Sequence, residues 1–264
     1  MKKLIKKSLS KFGLKLYKKN ASTNFIGFEK NNLYQIEYEN IKFDNNTYFV
    51  PKYASHRPAV INFLQGKLYE PITHQFVKYF CSKFNGSIIH AGTFFGDMLP
   101  SFSKYVSNTI YAFEPVLENF VLSKLTIEKN NLSNVIIYNS ALSEKIENLR
   151  INTMEIGGVH KGGGSNIDTK GVICGTMKID SLKSQDIILI HLDIEGHELF
   201  ALKGALETIK LCKPVIAIED NTRNCSNYLI EMKYELIKKI PGLNLWAPSE
   251  DINKKSAIIE FVIE

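Results

Sequence analysis

The sequence is poor in cysteine, and its cysteines lie far apart. Four are present among 264 residues, with no C-x-x-C pair and no dense cluster. They are Cys81, Cys174, Cys212 and Cys225. Secreted domains that depend on disulfides carry closely spaced cysteines. We therefore expect no disulfide framework, and we interpret these side chains as reduced, partly buried thiols.

Long apolar runs are also missing. No stretch is long and apolar enough to cross a bilayer, and the first residues lack the apolar region and cleavage site of a secretory signal. Residues 1–19 instead interleave lysines with leucine, isoleucine and phenylalanine, which is typical of a basic amphipathic segment. We predict a leader helix packed on the domain, with weak contact to a membrane surface as the alternative. We expect a cytoplasmic protein.

Neither the composition nor the charge is extreme. Lysine plus arginine total 33 against 27 for aspartate plus glutamate, a formal net charge of +6, and 44% of the residues are hydrophobic. Disordered and fibrous chains have different compositions, and no internal repeat is present. The length suits one α/β domain with an extension. We place a basic leader and hairpin cap at residues 1–68 and the domain at residues 69–264.

Strand and helix patterns alternate along most of the chain. Residues 34–38 and 41–50 flank Asp44-Asn45-Asn46 and predict an N-terminal hairpin. Further strands are predicted at residues 87–91, 109–113, 134–138, 187–194 and 214–218, and helices at residues 59–64, 73–84, 98–106, 118–130, 199–212 and 226–233. Such alternation predicts a parallel sheet.

Three segments depart from this alternation. Residues 234–240 and 243–246 predict a closing antiparallel pair across Pro241-Gly242. Residues 144–180 show no regular pattern and contain a glycine-rich stretch at residues 157–166, which indicates a loose loop over a functional site or a solvated one. The last residues, 257–263, are too few to assign.

The stretch Ile88 to Asp97 ends a buried strand, turns at Gly92 and Gly96, and opens a helix. Small residues at such a turn let the backbone approach a ligand, and the helix start offers free N–H groups. Glu114 ends the next strand about 20 residues later, where a carboxylate can hold the two hydroxyls of a ribose. The turn lacks the G-x-G-x-x-G spacing that a dinucleotide needs, which excludes a typical dehydrogenase.

A dense set of candidate proton acceptors follows the strand at residues 187–194. Asp193, Glu195 and His197 lie within one turn of chain, and we name them as candidate catalytic bases, with Asp193 and His197 leading. Asp193 has a second interpretation, as a ligand of a cofactor amino group. Together with His191 these residues also raise the alternative of a metal site, although we expect none.

The assembled motifs resemble the FkbM family of S-adenosylmethionine-dependent methyltransferases over approximately residues 69–246. The motifs are Tyr69-Glu70-Pro71, Ala91 to Asp97, Tyr111 to Pro115, Ser140 to Ser143, the glycine-rich stretch, Ile179 to Leu182, Asp193 to Glu198, and Leu202 to Ala205. The resemblance implies a Rossmann-like class I methyltransferase fold, α/β, with a mostly parallel seven-stranded sheet and helices on both faces. An N-terminal helical or β-hairpin extension precedes it.

The same resemblance implies a site for S-adenosyl-L-methionine at the carboxyl ends of the first strands. Gly92, Thr93 and Gly96 would approach its methionine part, with Asp97 closing that motif, and Glu114 would approach its ribose. Ser140 with Ala141 would meet the adenine edge. One position departs from the family, because His90 stands where an acidic residue is usual. We count His90 among the cofactor-binding residues as a substitute donor, and a core role is the alternative.

The resulting hypothesis is O-methylation of a hydroxyl on a glycan or small molecule. An RNA methyltransferase is one alternative, but the lysines concentrate in the leader and we expect no nucleic-acid partner. A non-catalytic protein that binds a glycan or the cofactor is the other, because a fold does not guarantee an activity.

Overall fold

A computed structural model describes residues 14–20, 23–28, 35–219 and 223–263. Its strands are β1 Leu14–Asn20, β2 Thr23–Phe28, β3 Gln35–Phe43, β4 Asn46–Pro51, β5 Ser87–Ala91, β6 Ile110–Phe113, β7 Val135–Tyr138, β8 Ala141–Leu142, β9 Asn148–Asn152, β10 Asn166–Asp168, β11 Val172–Met177, β12 Ile187–Leu192, β13 Val215–Ile218, β14 Tyr234–Ile240 and β15 Leu243–Pro248. Its helices are α1 Pro58–Leu64, α2 Pro71–Lys83, α3 Leu99–Tyr105, α4 Leu117–Asn130, α5 Glu198–Lys203, α6 Leu206–Cys212, α7 Arg223–Glu231 and α8 Ile252–Glu260. Short 3-10 turns lie at Gly162–Gly164 and Ile179–Leu182.

The central sheet runs in the order β14-β15-β13-β12-β5-β6-β7. Its strands are parallel from β13 through β7, whereas β15 lies antiparallel to both of its neighbours. This confirms the mostly parallel seven-stranded sheet and the closing antiparallel pair. The order reverses between β5 and β12, and open α/β sheets bind ligands at such a point, at the carboxyl ends of the strands.

Helices cover both faces of this sheet because its strands are apolar on both sides. Alternate strand residues point to opposite faces. Ile88, Leu189 and their neighbours pack under α2, α3 and α8, whereas Ile89, Ile190 and their neighbours pack under α5, α6 and α7. Among the described residues, no helix is both long and apolar enough to cross a membrane.

The N-terminal part forms an antiparallel sheet, β1-β2-β3-β4. The predicted hairpin is confirmed, and its turn is Asp44-Asn45, both with positive φ. The leader helix is wrong for residues 14–19, which lie in strand β1 and pair with β2; the rest of the predicted helix, and with it most of the basic segment, lies outside the described residues. Strand β4 packs on α4, where the Phe49 amide donates to Thr126 Oγ1 at 3.3 Å.

Residues 144–180 are more regular than their sequence indicates. They contain β9, β10 and β11, which join β8 in a small mixed sheet of order β10-β9-β11-β8. The strands are short, and β11 exposes the neighbouring apolar residues Val172 and Ile173, so apolar and polar residues do not alternate there as in a half-buried strand. The interpretation of this whole segment as an irregular loop is therefore wrong.

The predicted helix over residues 199–212 is divided into α5 and α6. Asp180 causes the break from outside the helix, because its amide donates to the Gly204 carbonyl at 3.0 Å. Its carboxylate accepts from the amides of Glu207 at 3.2 Å and Thr208 at 2.8 Å and so caps α6. Because the capping residue lies in a distant segment, the sequence of residues 199–212 contains no signal for the break. The unassigned C-terminal stretch begins with the last turns of α8.

Candidate active site

An open, largely apolar cavity lies at the carboxyl ends of β5, β6 and β12, with an empty volume of about 480 Å³. Backbone and polar groups line one side of it, including Gly92, Glu114, Ser140 and Asp193. The apolar lining consists of Ala91, Phe113, Pro115, Val116, Ala141, Leu142, Ile151, Ile167 and Ile194. A flat apolar slot edged by a few polar groups suits a purine nucleoside.

A second, polar cavity of about 700 Å³ opens next to the first. Its polar lining is Arg57, Tyr69, Asp97, Asp193, Glu195 and Glu219. Gly92, Gly163 and Asp193 line both cavities. The two cavities therefore lie side by side, and Asp193 forms part of the wall of both.

Gly92 holds the ends of β5 and β12 together. Its φ is +89°, and a Cβ at this position would overlap the carbonyl oxygen of Asp193 and lie 2.9 Å from its carbonyl carbon. The backbone of β12 thus passes where any other side chain would be. The sequence predicts Gly92 at the crevice, and this close approach explains why the position requires glycine.

Glu114 is buried beside the same turn. Its Oε2 accepts from the Phe94 amide at 2.8 Å, and its Oε1 accepts from the Val116 amide at 2.9 Å and from Asn119 Nδ2 at 3.4 Å. An ionised carboxylate offers about four lone pairs, so room remains for about one ribose hydroxyl rather than two. Burial raises the pKa of Glu114 to about 8, although these hydrogen bonds lower it.

The second half of the glycine-rich stretch packs against the apolar cavity, whereas Gly157 and Gly158 have no atom near their Cβ positions. Gly162 is buried, and a Cβ there would lie 2.7 Å from Ala54 Cβ and 3.0 Å from the ring of Phe94. Its amide donates to His160 Nδ1 at 2.9 Å. Gly162 and Gly163 line the cavity from this side. The packing of the 3-10 turn between the cap and the β5–α3 turn leaves room only for glycine.

His90 lines neither cavity, and its role as a cofactor-binding residue stays a prediction. His90 is 1% exposed and its Nδ1 lies 2.9 Å from His191 Nδ1. Because its side chain points to the same face of the sheet as that of Ile88, it packs on Phe102 of α3, below the crevice. The alternative interpretation, a histidine in the core, describes its position.

Thr93 and Gly96 line neither cavity. The Thr93 hydroxyl donates to the Phe113 carbonyl at 3.1 Å and the residue is fully buried. Gly96 faces α4, where a Cβ would lie 3.2 Å from Ser123 Cα. Both side-chain positions therefore face the interior, and an approach of their backbone to the cofactor stays a prediction.

The other predicted cofactor residues reach a cavity. Ser140 and Ala141 line the apolar cavity, and the Ser140 hydroxyl is 3.0 Å from the Ala141 carbonyl and 3.1 Å from that of Gly175. Asp97 lines the polar cavity, and burial raises its pKa to about 7. That cavity thus contains a buried acid one helical turn after the turn at Gly92.

The three candidate bases lie in different surroundings. Asp193 stands where the cavities meet, and burial followed by its hydrogen bond to Glu219 raises its pKa well above the usual value. Glu195 lines the polar cavity and lies 3.9 Å from an Arg57 nitrogen. His197 lines only the apolar cavity, where its Nε2 is 3.3 Å from Ser143 Oγ. This placement favours Asp193 as the base.

Three residues of the polar cavity were absent from the predicted site: Arg57, Tyr69 and Glu219. Glu219 directly follows β13, as Asp193 follows β12, so its place at a strand end was a usable signal. Arg57 comes from the N-terminal cap, and no sequence pattern links it to the crevice. Within the described residues, no three His, Cys, Asp or Glu side chains have an arrangement suited to a metal ion.

The sequence of this domain matches the profile described as "Methyltransferase FkbM domain" over residues 91–238, more than half of the chain. The chain belongs to the FkbM methyltransferase family. The matched range contains both ends of the crevice, from Gly92 to Glu219. No curated protein matches the chain.

Solved structures of methyltransferases are similar to this chain at low identity. Methyltransferase FkbM from Methylobacillus flagellatus is 19% identical, with 62% of this chain and 43% of that chain covered and a TM-score of 0.46. This chain therefore spans less than half the length of that protein. A SAM-dependent methyltransferase from Aquifex aeolicus is 18% identical, with coverages of 72% and 92% and a TM-score of 0.41. The Bacillus cereus O-methyltransferase in complex with SAH is 13% identical, with coverages of 67% and 80% and a TM-score of 0.41.

The family resemblance implies S-adenosyl-L-methionine as the cofactor, and the crevice fits it. The apolar cavity matches the purine in character, one lone pair of Glu114 is available to a ribose hydroxyl, and Gly92 leaves the backbone open at the turn. The methionine end would then reach the polar cavity, where Asp97 would offer a carboxyl group to its ammonium.

Above about pH 8, where the Glu114 carboxyl is ionised, we expect Glu114→Ala to weaken cofactor binding by about 1.5–3 kcal/mol, because a charge-assisted hydrogen bond to the ribose is lost. Isothermal titration calorimetry with S-adenosyl-L-methionine measures this change. The matched control is Ser123→Ala, which removes the 2.7 Å hydrogen bond from Ser123 Oγ to the Phe94 carbonyl and so loosens the same turn without touching the cavity. If both variants lose affinity equally, Glu114 acts only through the turn.

Buried histidines beneath the crevice make stability depend on pH. Burial lowers the pKa of His74 to about 4 from the usual 6.5. Between these values the unfolded chain binds a proton at His74 that the folded chain does not, so this contribution to stability is lost as the pH falls. From about pH 7.5 to about pH 5, the wild type should lose about 2 kcal/mol relative to His74→Leu. Urea unfolding of both proteins at both pH values tests this, and a constant difference would contradict it.

Proposed function

We propose that this protein is an S-adenosyl-L-methionine-dependent methyltransferase that methylates a hydroxyl oxygen on a glycan or small molecule. The observation that carries the proposal is the position of Asp193, at the junction of an apolar cavity suited to a nucleoside and a polar cavity open to solvent. A proton acceptor at this junction lies between the cofactor's place and the acceptor's place.

The bound cofactor supplies a methyl group on a positively charged sulfur. The chain's own residues then have two tasks, to hold the acceptor in line with that methyl and to take its hydroxyl proton. Asp193 is the residue proposed for the second task. Tyr69 and Arg57 line the polar cavity opposite and supply hydrogen-bond donors for the hydroxyl groups of an acceptor.

The charge of the polar cavity favours a neutral, hydroxyl-rich acceptor over RNA. Asp97, Asp193, Glu195 and Glu219 face one arginine there. A polyanionic backbone would meet several carboxylates at the point of reaction, whereas RNA-binding sites concentrate positive charge. These charges therefore disfavour RNA as the acceptor.

The test is methyl transfer to a panel of acceptors that differ in the reacting atom. Purified protein is incubated with S-adenosyl-L-methionine and hydroxyl-bearing sugars and small alcohols, with amine and thiol analogues as matched controls. Release of S-adenosylhomocysteine and the mass gain of the acceptor are measured together. Transfer to hydroxyl acceptors alone supports the proposal, and transfer confined to the amines or thiols would replace it. Cofactor binding without any transfer would leave the non-catalytic alternative.

A further inference from the structure

Asp193 and Glu219 occupy matching positions on neighbouring parallel strands. Leu192 of β12 pairs with Ile218 of β13, and the Glu219 amide donates to the Leu192 carbonyl at 3.0 Å. The next side chain of each strand therefore enters the polar cavity beside the other. Burial and the neighbouring Glu219 carboxyl raise the pKa of Asp193 well above its usual value. Two carboxyl groups side by side repel each other when both are ionised, so we expect the pair to keep one proton.

The two carboxyl groups differ in their access to water. Asp193 is only partly exposed, and Glu219 is exposed. Desolvation disfavours a charge, so the proton of the pair belongs on the less exposed Asp193. A protonated Asp193 is not a base by itself, but it becomes one if it can pass its own proton on.

We propose that Asp193 and Glu219 form a proton relay, in which Asp193 takes the proton of the acceptor hydroxyl and passes its own proton to Glu219. Glu219 is thus a positioning and proton-accepting residue that acts through Asp193. The relay requires the methyl transfer of the proposed function. The sharing of one proton between the two carboxyl groups does not depend on that function.

The step balances in atoms and charge. The acceptor oxygen forms a bond to the methyl carbon as the carbon–sulfur bond breaks, and that electron pair stays on sulfur. The hydroxyl proton moves to one oxygen of Asp193 while the proton on its other oxygen moves to Glu219. The pair begins with one proton and one negative charge and ends with two protons and none. The positive sulfur becomes neutral in the same step, so no unpaired charge is left in the crevice.

The surrounding charges keep the proton on Asp193. Glu70 at the start of α2 and Glu195 after β12 both raise the pKa of Asp193, in addition to burial and Glu219. The other groups that face this cluster are Tyr69, Asp97, Arg57 and Lys161. Arg57 and Lys161 lower the pKa of Glu195, so these cations act mainly on the neighbouring carboxylate.

The experiment compares two pH midpoints in the full-length protein. The first is the titration of the Asp193 carboxyl, followed by NMR of protein labelled with ¹³C at the aspartate carboxyl carbons and assigned with Asp193→Asn. The second is the acid limb of kcat/KM for methyl transfer to the hydroxyl acceptor found above. In the wild type, the relay makes the rate rise at a lower pH than that at which Asp193 titrates, because Asp193 can pass its proton on and need not be ionised beforehand.

Glu219→Gln should bring the two midpoints together. The Asp193 titration should move to lower pH by about one unit or more, because a like charge is gone. The acid limb of kcat/KM should move to higher pH, because Asp193 must now ionise itself. Glu70→Gln is the matched control, since it removes a nearby like charge but no hydrogen bond to Asp193. It should move both midpoints down together and by less.

Each outcome decides a separate point. An unchanged Asp193 titration in Glu219→Gln would overturn the shared proton. Coincident midpoints in the wild type would overturn the relay while leaving methyl transfer intact. A wild type that binds the cofactor but methylates no hydroxyl would overturn the proposed function and with it the relay, and the NMR titration would still report whether the two carboxyls share a proton.

Discussion

Asp193→Ala is expected to lower kcat by about 10²–10⁴-fold, the range that a positioned proton acceptor contributes. The measurement is release of S-adenosylhomocysteine in the presence of the hydroxyl acceptor, together with calorimetric binding of the cofactor. Cofactor affinity should fall far less than turnover, because the purine slot and Glu114 are unchanged. A variant that turns over at the wild-type rate would remove Asp193 from the chemistry.

The same substitution should not destabilise the fold. Asp193 is a crowded, partly buried acid whose pKa is raised, so its ionisation opposes folding as the pH rises above the usual aspartate value. Removing it should leave the free energy of unfolding at neutral pH unchanged or slightly higher. Residues kept for activity commonly carry such a cost in stability.

Asp186→Ala is the matched control for Asp193→Ala. Asp186 lies just before β12, at the opposite end of the same strand, and accepts hydrogen bonds from Ser87 Oγ at 2.8 Å and Asn108 Nδ2 at 2.7 Å. Its loss should lower stability but not turnover. We therefore expect opposite results from the two substitutions: Asp193→Ala should lower turnover but not stability, and Asp186→Ala should lower stability but not turnover.

Gly92→Ala is expected to have the largest effect on stability, a loss of about 4 kcal/mol or more in the free energy of unfolding. The added Cβ would overlap the Asp193 carbonyl, which is backbone in a paired strand end and cannot rotate away. The residue would also keep a φ of +89°, which L side chains rarely adopt. Urea unfolding and cofactor calorimetry measure the two consequences.

Alanine substitutions at two other glycines distinguish the cost of a positive φ from the cost of a steric overlap with the backbone. Gly66→Ala places alanine at a φ of +68° with no atom within 4 Å, so it should cost only about 1–2 kcal/mol. Gly175→Ala adds a Cβ at an ordinary φ in open space, so stability should be unchanged or slightly raised. If Gly92→Ala lowered the free energy of unfolding by no more than Gly66→Ala, the close approach of the ends of β5 and β12 would not be what requires glycine at this position.

The regular part of the fold could be predicted because its signals are local. The strand at Ser87–Ala91 is a short, buried and mostly apolar run bounded by Gly86 and Gly92, and the hairpin turn at Asp44-Asn45 has residues that accept positive φ. The small sheet of β8 to β11 has no such signal, since its strands are short and partly exposed. The cap of α6 by Asp180 joins residues about 27 positions apart, beyond the reach of any local pattern.

Some features of the candidate site could likewise be predicted from local sequence, and others could not. The sequence by itself determined that Gly92, Glu114 and Asp193 each follow a strand and so meet at one edge of a parallel sheet, because parallel strands end on the same side. Only the tertiary structure decided which way each neighbouring side chain points. His90 turns into the core because strand residues alternate between faces, whereas Glu219 comes to lie beside Asp193 because β13 pairs with β12. Arg57 reaches the polar cavity only because the N-terminal cap folds over the crevice, a contact between segments far apart in the chain.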